Sequence, residues 1–313
     1  MSQFEFRGKN VFISGGSRGI GLAIGVKLAS LGANVCIAAK TADPHPKLPG
    51  TIFTAAKQIE DAGGRALPVL CDIRFEDQVN AAVSKAVAAF GGIDILINNA
   101  SAISLTPMTE TGMKKYDLMN QINGRGTYLC TLACLPHLRE SAKKGRNPHV
   151  LTLSPPLDMR PMWFENHTAY SIAKYSMSMC TLGLAEEFRQ YGIAVNSLWP
   201  LTAIDTSAMT VIIANPEDPP EELKYRNADI MADAAALMLC QDARNYTGQF
   251  VIDEALLRQV GVKDFTIYKI NKNCPDEELA PDFFVPDDIY EAGNAPAVQR
   301  PFVMKTIKSL AKL

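Results

Sequence analysis

The sequence predicts an α/β fold built on a mostly parallel sheet, and two observations support it. Short β-branched or apolar runs alternate with longer stretches of helical periodicity along residues 1–200, which is the pattern of parallel strands joined by crossover helices. The runs are apolar throughout, and strands of this kind need helices on both faces of their sheet. We therefore expect one doubly wound domain with seven strands flanked by helices.

The predicted elements follow one another in a regular order. The strands cover residues 11–14, 34–39, 66–71, 93–98, 149–153, 194–198 and 249–253. Apolar residues at helical spacing predict helices over residues 19–31, 51–62, 75–90, 114–141 and 169–191. The last strand follows the turn signal Asn245-Tyr246-Thr247-Gly248, which separates it from the element before.

Two regions interrupt this alternation. Residues 202–227 contain Pro216, Pro219 and Pro220, which predict an irregular excursion. From residue 272 onward Pro, Asp and Glu cluster and the alternation ends. We therefore divide the chain into one domain over residues 1–270 and a Pro- and acid-rich C-terminal extension over residues 271–313.

The composition excludes several classes of protein. Lys and Arg number 31 and Asp and Glu 33, a formal charge of −2, so the chain lacks the uniformly basic surface that nonspecific nucleic-acid binding requires. No apolar run is long enough for a transmembrane segment. The seven cysteines contain no Cys-x-x-Cys pair, which argues against a disulfide framework and a structural zinc site. We expect no metal site and no nucleic-acid partner.

A glycine-rich run, Ser14-Gly15-Gly16-Ser17-Arg18-Gly19-Ile20-Gly21, joins the first strand to the first helix. Glycines there permit a tight turn and let the backbone approach a pyrophosphate closely. The helix N-terminus then offers free N–H groups to the phosphates. A merely tight turn between strand and helix is the alternative, but it does not explain three glycines at this spacing. The run predicts a Rossmann-type domain that binds a dinucleotide.

The end of the second strand indicates which nicotinamide dinucleotide is bound. An acid at this place binds a ribose 2′-hydroxyl, whereas a base binds a 2′-phosphate. The sequence has Lys40 there, has no carboxylate before Asp43, and places Arg18 in the glycine-rich run. Because both cations pair well with phosphate, we expect NADP(H) to be preferred, with NAD(H) possible. Two solvated surface charges are the alternative interpretation.

A series of motifs follows one another along the chain: Ser14-Gly15-x-x-x-Gly19-x-Gly21, Cys71-Asp72-Ile73, Asn98-Asn99-Ala100, Asn123, Tyr170-x-x-x-Lys174 and Asn196-Ser197-Leu198-Trp199-Pro200. In this order they resemble the short-chain dehydrogenase/reductase family over residues 1 to about 260. The resemblance implies a set of cofactor-binding residues, which are Gly15, Ser17, Arg18, Gly19, Ile20, Gly21, Lys40, Asp72, Ile73, Asn99, Ala100, Tyr170 and Lys174.

Further stretches resemble the hydroxysteroid dehydrogenase-like branch of this family. They include Ala38-Ala39-Lys40-Thr41-Ala42 and Ser154-Pro155-Pro156-Leu157. Residues 280–284 are similar to a linker that leads into a sterol-carrier domain in longer members, and we expect that domain to be absent from this chain.

Tyr170 and Lys174 are the principal catalytic candidates. A tyrosine has an ordinary pKa of about 10 and needs a nearby ammonium group to act as an acid or base at neutral pH. Residues four apart share one face of a helix, which brings Lys174 next to Tyr170. The resemblance implies that Lys174 also binds the nicotinamide ribose and that Asn123 holds the water that links Lys174 to solvent. Tyr170 then exchanges a proton with a carbonyl or alcohol oxygen.

Two positions depart from the family pattern. The family serine lies thirteen positions before the tyrosine, where this chain has Leu157, and alignment of the strand puts Pro155 at its place. Ser154 is the nearest hydroxyl upstream, and it either reaches the substrate oxygen or simply ends the strand. Leu201 replaces the glycine that follows Pro200, so Thr202 or Thr206 is the candidate contact to the nicotinamide.

The substrate and partners are predicted from the loops that surround the site. Apolar side chains occur in residues 154–167 and after Thr202; they are Met159, Met162, Trp163, Phe164 and Met209. They favour as substrate an apolar carbonyl or secondary alcohol with an acyl chain or steroid-like ring. An equal alternative is that they pack within a lid. The helix that begins near Lys114 and the helix that bears Tyr170 resemble the helices of the family's subunit contacts. This resemblance implies a homodimer or homotetramer.

The leading hypothesis is an NAD(P)-dependent oxidoreductase, and the alternative is a non-catalytic dinucleotide-binding protein that acts through its C-terminal extension. The terminal Ala311-Lys312-Leu313 is a conservative variant of the Ser-Lys-Leu peroxisomal address. We expect a cytoplasmic protein, or a peroxisomal one if the source is a eukaryote.

Overall fold

A seven-stranded sheet organises the chain. The computed structural model describes residues 6–45, 48–207 and 224–285. Its strands are β1 (Asn10–Ser14), β2 (Asn34–Ala39), β3 (Arg65–Leu70), β4 (Ile95–Asn98), β5 (His149–Thr152), β6 (Ala194–Trp199) and β7 (Phe250–Ile252). All neighbouring strands pair in parallel, in the order β3-β2-β1-β4-β5-β6-β7. The predicted fold class is confirmed.

Helices cover both faces of this sheet. They are α1 (Gly19–Ser30), α2 (Ile52–Asp61), α3 (Glu76–Phe90), α4 (Met113–Asn120), α5 (Gly126–Lys143), α6 (Thr168–Arg189), α7 (Asp229–Leu239) and α8 (Asp253–Gln259). Successive strand residues point to opposite faces, so Ile13 of β1 packs into a core with α1, α2 and α7. Its neighbour Phe12 packs into a second core with α3, α5 and α6.

The strand order predicts a crevice at the carboxyl ends of the two central strands, β1 and β4. Chain order reverses between β1 and β4, which are neighbours in the sheet, and ligands of open α/β sheets bind outside the carboxyl ends of the strands at such a switch point. The turn after β1 and the residues after β4 therefore form the walls of the expected dinucleotide site.

Several elements differ from their predicted bounds. The predicted helix over residues 114–141 is interrupted by one π turn, Gln121–Arg125, between α4 and α5. The predicted fourth strand starts at Ile95, and the seventh ends at Ile252 because Asp253 begins α8. Helix α7 is mostly buried and was not predicted from the sequence, because a helix that is apolar around most of its circumference has a weak amphipathic period.

The described part of the C-terminal extension contacts the carboxyl edge of the sheet. The backbone N–H of Asp282 donates to the carbonyl of Leu201 at 3.1 Å, and Trp199 Nε1 donates to the carbonyl of Phe283 at 2.6 Å. A β-bridge joins Thr202 to Pro281. The domain boundary after residue 270 stays a prediction, although these contacts bring residues 281–283 next to β6.

Some predicted features fall outside the described residues. These are Met209, the three prolines of the excursion, and the C-terminal tripeptide. Within the described ranges, no helix has both the length and the apolar character that crossing a bilayer would require.

Candidate active site

The glycine-rich run forms a tight turn that is pressed against the end of β4. Gly15 has a φ of +72°, and a Cβ added to it would lie 2.7 Å from the Cα of Ala100. A Cβ on Gly21 would collide with the side-chain amide of Asn99. Only glycine fits at these two positions, since any side chain would displace the turn from its neighbour.

Hydrogen bonds from Ser14 and Asn99 join the two strand ends. Ser14 Oγ accepts from the backbone N–H groups of Asn99 and Ala100, both at 3.2 Å. The Asn99 amide donates to the carbonyls of Ser14 at 3.2 Å and Gly15 at 3.0 Å. These bonds set the width of the crevice at the predicted position of the dinucleotide.

The first turn of α1 presents backbone donors to this crevice. Arg18 precedes the helix and, among the described residues, its side chain makes no capping hydrogen bond; the first N–H groups of an α-helix have no intrahelical partner. Gly19, with a φ of +58°, lies opposite Thr206, whose methyl group would be 3.3 Å from an added Cβ. Uncapped N–H groups at a positive dipole end fit a pyrophosphate, and glycines leave room for it.

The predicted adenosine-binding residues lie beside β2 and β3. Lys40 is exposed directly after β2. The Arg18 guanidinium donates to the carbonyls of Pro49 at 2.8 Å and Gly50 at 2.6 Å. Asp72 is held by Arg74 at 2.6 Å, and this hydrogen-bonded pair keeps the pKa of Asp72 below its ordinary value. Ile73 is buried in the second core.

Tyr170 and Lys174 lie on consecutive turns of α6, and both are buried. Burial raises the pKa of Tyr170, and the charge of Asp282 adds to this effect. Burial lowers the pKa of Lys174 to about 7, which Asp282 opposes. Lys174 Nζ donates to the carbonyl of Leu153 at 2.8 Å and lies 4.9 Å from the ring centre of Trp199. The structure thus places the buried Lys174 amine one helical turn from the buried Tyr170 phenol.

Asp282 is an acidic group of this region that the sequence analysis missed. Its pKa is raised to about 7, mainly by burial and also by the charge of Asp253, whereas the hydrogen bond from the backbone N–H of Phe283 and the charge of Lys174 act to lower it. Asp253 is also buried: its carboxylate accepts from the backbone N–H of Leu201 at 2.8 Å, and burial raises its pKa to about 7. Leu201 is thus held through both of its backbone groups, because the Asp253 carboxylate accepts from its N–H and the backbone N–H of Asp282 donates to its carbonyl.

Asn123 lies in the π turn between α4 and α5 and is buried. Its side-chain oxygen accepts from the backbone N–H of Ala102 at 2.8 Å, and its amide donates to the carbonyl of Ala102 at 3.1 Å. Both ends of the side chain are thus used to hold the loop after β4. The role of Asn123 in a proton relay stays a prediction.

Ser154 directs its hydroxyl into a buried chain of hydroxyl groups. Its Oγ is 2.8 Å from Ser197 Oγ, which donates to Thr181 Oγ1 at 2.8 Å. These bonds join β6 and α6 to the end of β5, and Ser154 is fully buried. The geometry gives Ser154 a structural role, and its role at the substrate oxygen stays a prediction.

The loop over residues 154–167 is anchored by Asp158. Its carboxylate accepts from Trp163 Nε1 at 2.6 Å and pairs with Arg160 at 2.7 Å, and its backbone carbonyl accepts from the Tyr175 hydroxyl at 2.6 Å. Trp163 is consequently buried, whereas Met159 is 65% exposed. Of the apolar residues predicted here, Trp163 is a packing residue in this structure.

An aromatic cluster surrounds Phe284 and includes Tyr170. We define it as Phe284 and four rings that pack around it, Trp163, Tyr170, Tyr175 and Trp199. The rings of Phe283 and His167 also lie near Phe284, with centres at 6.1 and 6.3 Å. Phe284 lies in the stretch interpreted as linker-like, residues 280–284, and was therefore not predicted as a site residue. A pair of adjacent phenylalanines in an otherwise polar extension was the available signal.

Comparisons with known proteins agree with this architecture. The family model described as short chain dehydrogenase matches residues 9–216. The chain is 57% identical to hydroxysteroid dehydrogenase-like protein 2 of Danio rerio, over 91% of this chain and 66% of that protein. It is 53% identical to the protein of the same name from Homo sapiens, over 91% of this chain and 65% of that protein. This chain thus spans about two thirds of the length of these relatives.

Solved structures of short-chain dehydrogenases are also similar to this chain. A short chain dehydrogenase homologue from Mycobacterium thermoresistibile is 48% identical with a TM-score of 0.82, covering 93% of this chain and 98% of that chain. A metagenomic short-chain oxidoreductase in complex with NADP is 25% identical with a TM-score of 0.62, covering 77% of this chain and 95% of that chain. The chain belongs to the short-chain dehydrogenase family of oxidoreductases. Among its relatives it is similar to those named hydroxysteroid dehydrogenase-like protein 2.

Proposed function

We propose that this chain is an NADP(H)-dependent oxidoreductase that transfers hydride between nicotinamide and a carbonyl or secondary alcohol of an apolar substrate. The observation that carries the proposal is the buried Tyr170–Lys174 pair on one face of α6. Family membership and the uncapped N-terminus of α1 at the switch point support it.

The proposed chemistry is a proton transfer at Tyr170. A bound nicotinamide dinucleotide supplies or accepts the hydride. Tyr170 Oη donates its proton to the carbonyl oxygen during reduction, and protonated Lys174 stabilises the resulting phenolate. The turn after β1 and the first N–H groups of α1 hold the pyrophosphate. The aromatic cluster excludes water from the phenol.

The test of this proposal is turnover by the wild-type chain. NADPH oxidation is measured against a panel of linear long-chain ketones and fused-ring ketones, and binding of NADPH is measured separately. We expect consumption of NADPH with at least one apolar ketone. Tight NADPH binding with no turnover of any ketone would instead support the alternative, a non-catalytic dinucleotide-binding protein, which the buried hydroxyl of Ser154 favours.

The preference for NADP(H) is proposed to rest on Lys40. Lys40 is exposed directly after β2, and Arg18 precedes α1 with its guanidinium bound to the carbonyls of Pro49 and Gly50. The NADP found with the metagenomic relative is consistent with a phosphate-binding site in this family.

The substitution Lys40→Asp should lower the ratio of kcat/KM for NADPH over NADH by roughly tenfold or more, since a hydrogen bond to a charged group contributes about 1.5–3 kcal/mol. The ratio is measured with one ketone at fixed ionic strength. Lys85→Asp, which changes an exposed lysine on α3, is the control and should leave the ratio unchanged. An unchanged ratio in Lys40→Asp would refute the assignment.

The charge of Asp282 should govern the pH dependence of the reaction. Its negative charge raises the pKa of Tyr170, so Asp282→Asn should lower that pKa and shift the acid limb of the alcohol-oxidation profile to lower pH. Profiles of kcat/KM against pH measure the shift. The control is Asp276→Asn, which removes an exposed carboxylate that pairs with Lys269 and should leave the acid limb of the profile unchanged. Equal profiles for wild type, Asp282→Asn and Asp276→Asn would contradict the expectation.

Association of copies is proposed from exposed apolar side chains on α5 and α6. They are Tyr128, Leu132, Ile172, Met179 and Leu182. Tyr128 and Leu132 are one turn apart on α5, as are Met179 and Leu182 on α6. Neighbouring exposed apolar side chains are typical of interaction surfaces, which supports the expected homodimer or homotetramer.

A further inference from the structure

The excursion after β6 is held at its two described ends by two adjacent acidic residues. Asp253 and Glu254 begin α8, directly after β7. Asp253 Oδ1 accepts from the backbone N–H of Leu201, which precedes the excursion, at 2.8 Å. Glu254 pairs with the guanidinium of Arg226, near the other end of the excursion. We call the Asp253-Glu254 pair the clasp.

The ion pair between Arg226 and Glu254 is buried, with side chains that are 2% and 6% exposed. Desolvation of a buried ion pair offsets much of its Coulombic attraction, and such a pair can instead specify one arrangement of the chain. Here the two ends of the excursion meet: the carbonyl of Arg226 accepts from the N–H of Asp205 at 2.8 Å, and its N–H donates to the carbonyl of Ala203 at 3.1 Å. The clasp therefore fixes the base of the excursion.

Residues 201–206, which we call the strip, join the clasp to the glycine-rich turn. The strip follows Trp199, whose ring centre is 4.9 Å from Lys174 Nζ. Its other end is Thr206, which is half-buried and whose methyl group would lie 3.3 Å from a Cβ on Gly19. In the proposed function the turn holds the pyrophosphate and Tyr170 acts at the nicotinamide, so the strip spans the region of the nicotinamide half.

We infer that Arg226 and the clasp are positioning residues, which hold the strip where it supports the nicotinamide half of a bound dinucleotide. The inference rests on the proposed function, because it concerns the same dinucleotide site. The adenosine half is proposed to lie beside β2, which is separated from β6 and β7 by the centre of the sheet. Displacement of the strip should therefore weaken contacts to the nicotinamide and spare those to the adenosine.

The substitution Arg226→Met tests the clasp by binding alone. The probes are NADP⁺ and 2′-phospho-ADP-ribose, which is the same molecule without its nicotinamide ring, and titration calorimetry measures both Kd values. The Kd for NADP⁺ should rise about fivefold, the loss expected for one ordinary hydrogen bond, and that for 2′-phospho-ADP-ribose should stay within about twofold of wild type. Glu254 keeps Arg258 as a partner, so the variant leaves no buried carboxylate unpaired.

Arg258→Met is the matched control. Arg258 binds the same carboxylate, with its Nε 2.8 Å from Glu254 Oε1, and its guanidinium lies over the same ring of Phe265 as that of Arg226. It belongs to α8 and not to the excursion, so this variant should leave both Kd values unchanged. Arg226→Lys retains a cation for Glu254 and should bind NADP⁺ more tightly than Arg226→Met does.

The outcomes separate positioning from a general structural role. Equal Kd changes for the two probes in Arg226→Met, or no change in either, would overturn the inference, as would the same selective loss in Arg258→Met. A lysine variant that binds NADP⁺ no better than the methionine variant would also overturn it. Wild type that binds NADP⁺ but reduces no ketone with NADPH would defeat the proposed function, whereas the comparison of the two probes would still decide the role of the clasp.

Discussion

Replacement of Tyr170 by phenylalanine is expected to lower kcat for NADPH-dependent carbonyl reduction by about 10²–10⁴-fold, the usual contribution of a general acid or base. The substitution removes one hydroxyl and keeps the buried ring among its aromatic neighbours. NADPH oxidation under saturating ketone measures kcat, and fluorescence titration should show an unchanged Kd for NADPH.

Tyr175→Phe is the control for this experiment. Tyr175 lies on the same helix and its ring also contacts Phe284, but its hydroxyl donates to the backbone carbonyl of Asp158. Its loss should reduce stability by about 1 kcal/mol, as for an ordinary hydrogen bond, with kcat within about threefold of wild type. Equal rates for the two variants would remove Tyr170 from the proposed proton transfer.

The substitution Gly15→Ala is expected to raise the Kd for NADPH at least tenfold and to lower the free energy of unfolding by about 1–3 kcal/mol. A methyl group there would lie 2.7 Å from the Cα of Ala100, on a residue with a φ of +72°. The turn must move away from the end of β4, and the N–H groups of α1 that are proposed to bind the phosphates move with it. Fluorescence titration and urea unfolding measure the two effects.

Gly8→Ala separates backbone strain from steric contact. Gly8 has a φ of +70°, almost that of Gly15, but a Cβ added to it meets no atom within 4 Å. It should lower the free energy of unfolding by only about 1 kcal/mol and leave NADPH binding unchanged. If Gly15→Ala binds NADPH as wild type does, the turn is not the phosphate site.

Local signals in the sequence were sufficient for the sheet and for part of the site. The apolar run of β1 followed by glycines specified a strand, a turn and a helix, because each follows from the chemistry of adjacent residues. The spacing of Tyr170 and Lys174 likewise placed both on one helix face, as the structure shows. These features depend on neighbours in the chain.

Other features depend on contacts between distant residues and were not predictable. The π turn at Asn123 occurs together with hydrogen bonds to Ala102, which no local sequence pattern predicts. The hydroxyl of Ser154 turns toward Ser197, a residue of β6. Phe284 lies in a stretch rich in Pro and Asp, and only the tertiary structure shows that rings from much earlier in the chain enclose it.

The late position of Phe284 in the chain has a consequence for folding during synthesis. All seven strands and the helix that bears Tyr170 precede it, so a nascent chain contains them before residue 284 leaves the ribosome. Until then Trp163, Tyr175 and Trp199 lack the ring that they surround in the finished protein. Exposed aromatic surface of this kind promotes aggregation of incomplete chains. We therefore expect closure around Phe284 to be among the last steps of folding.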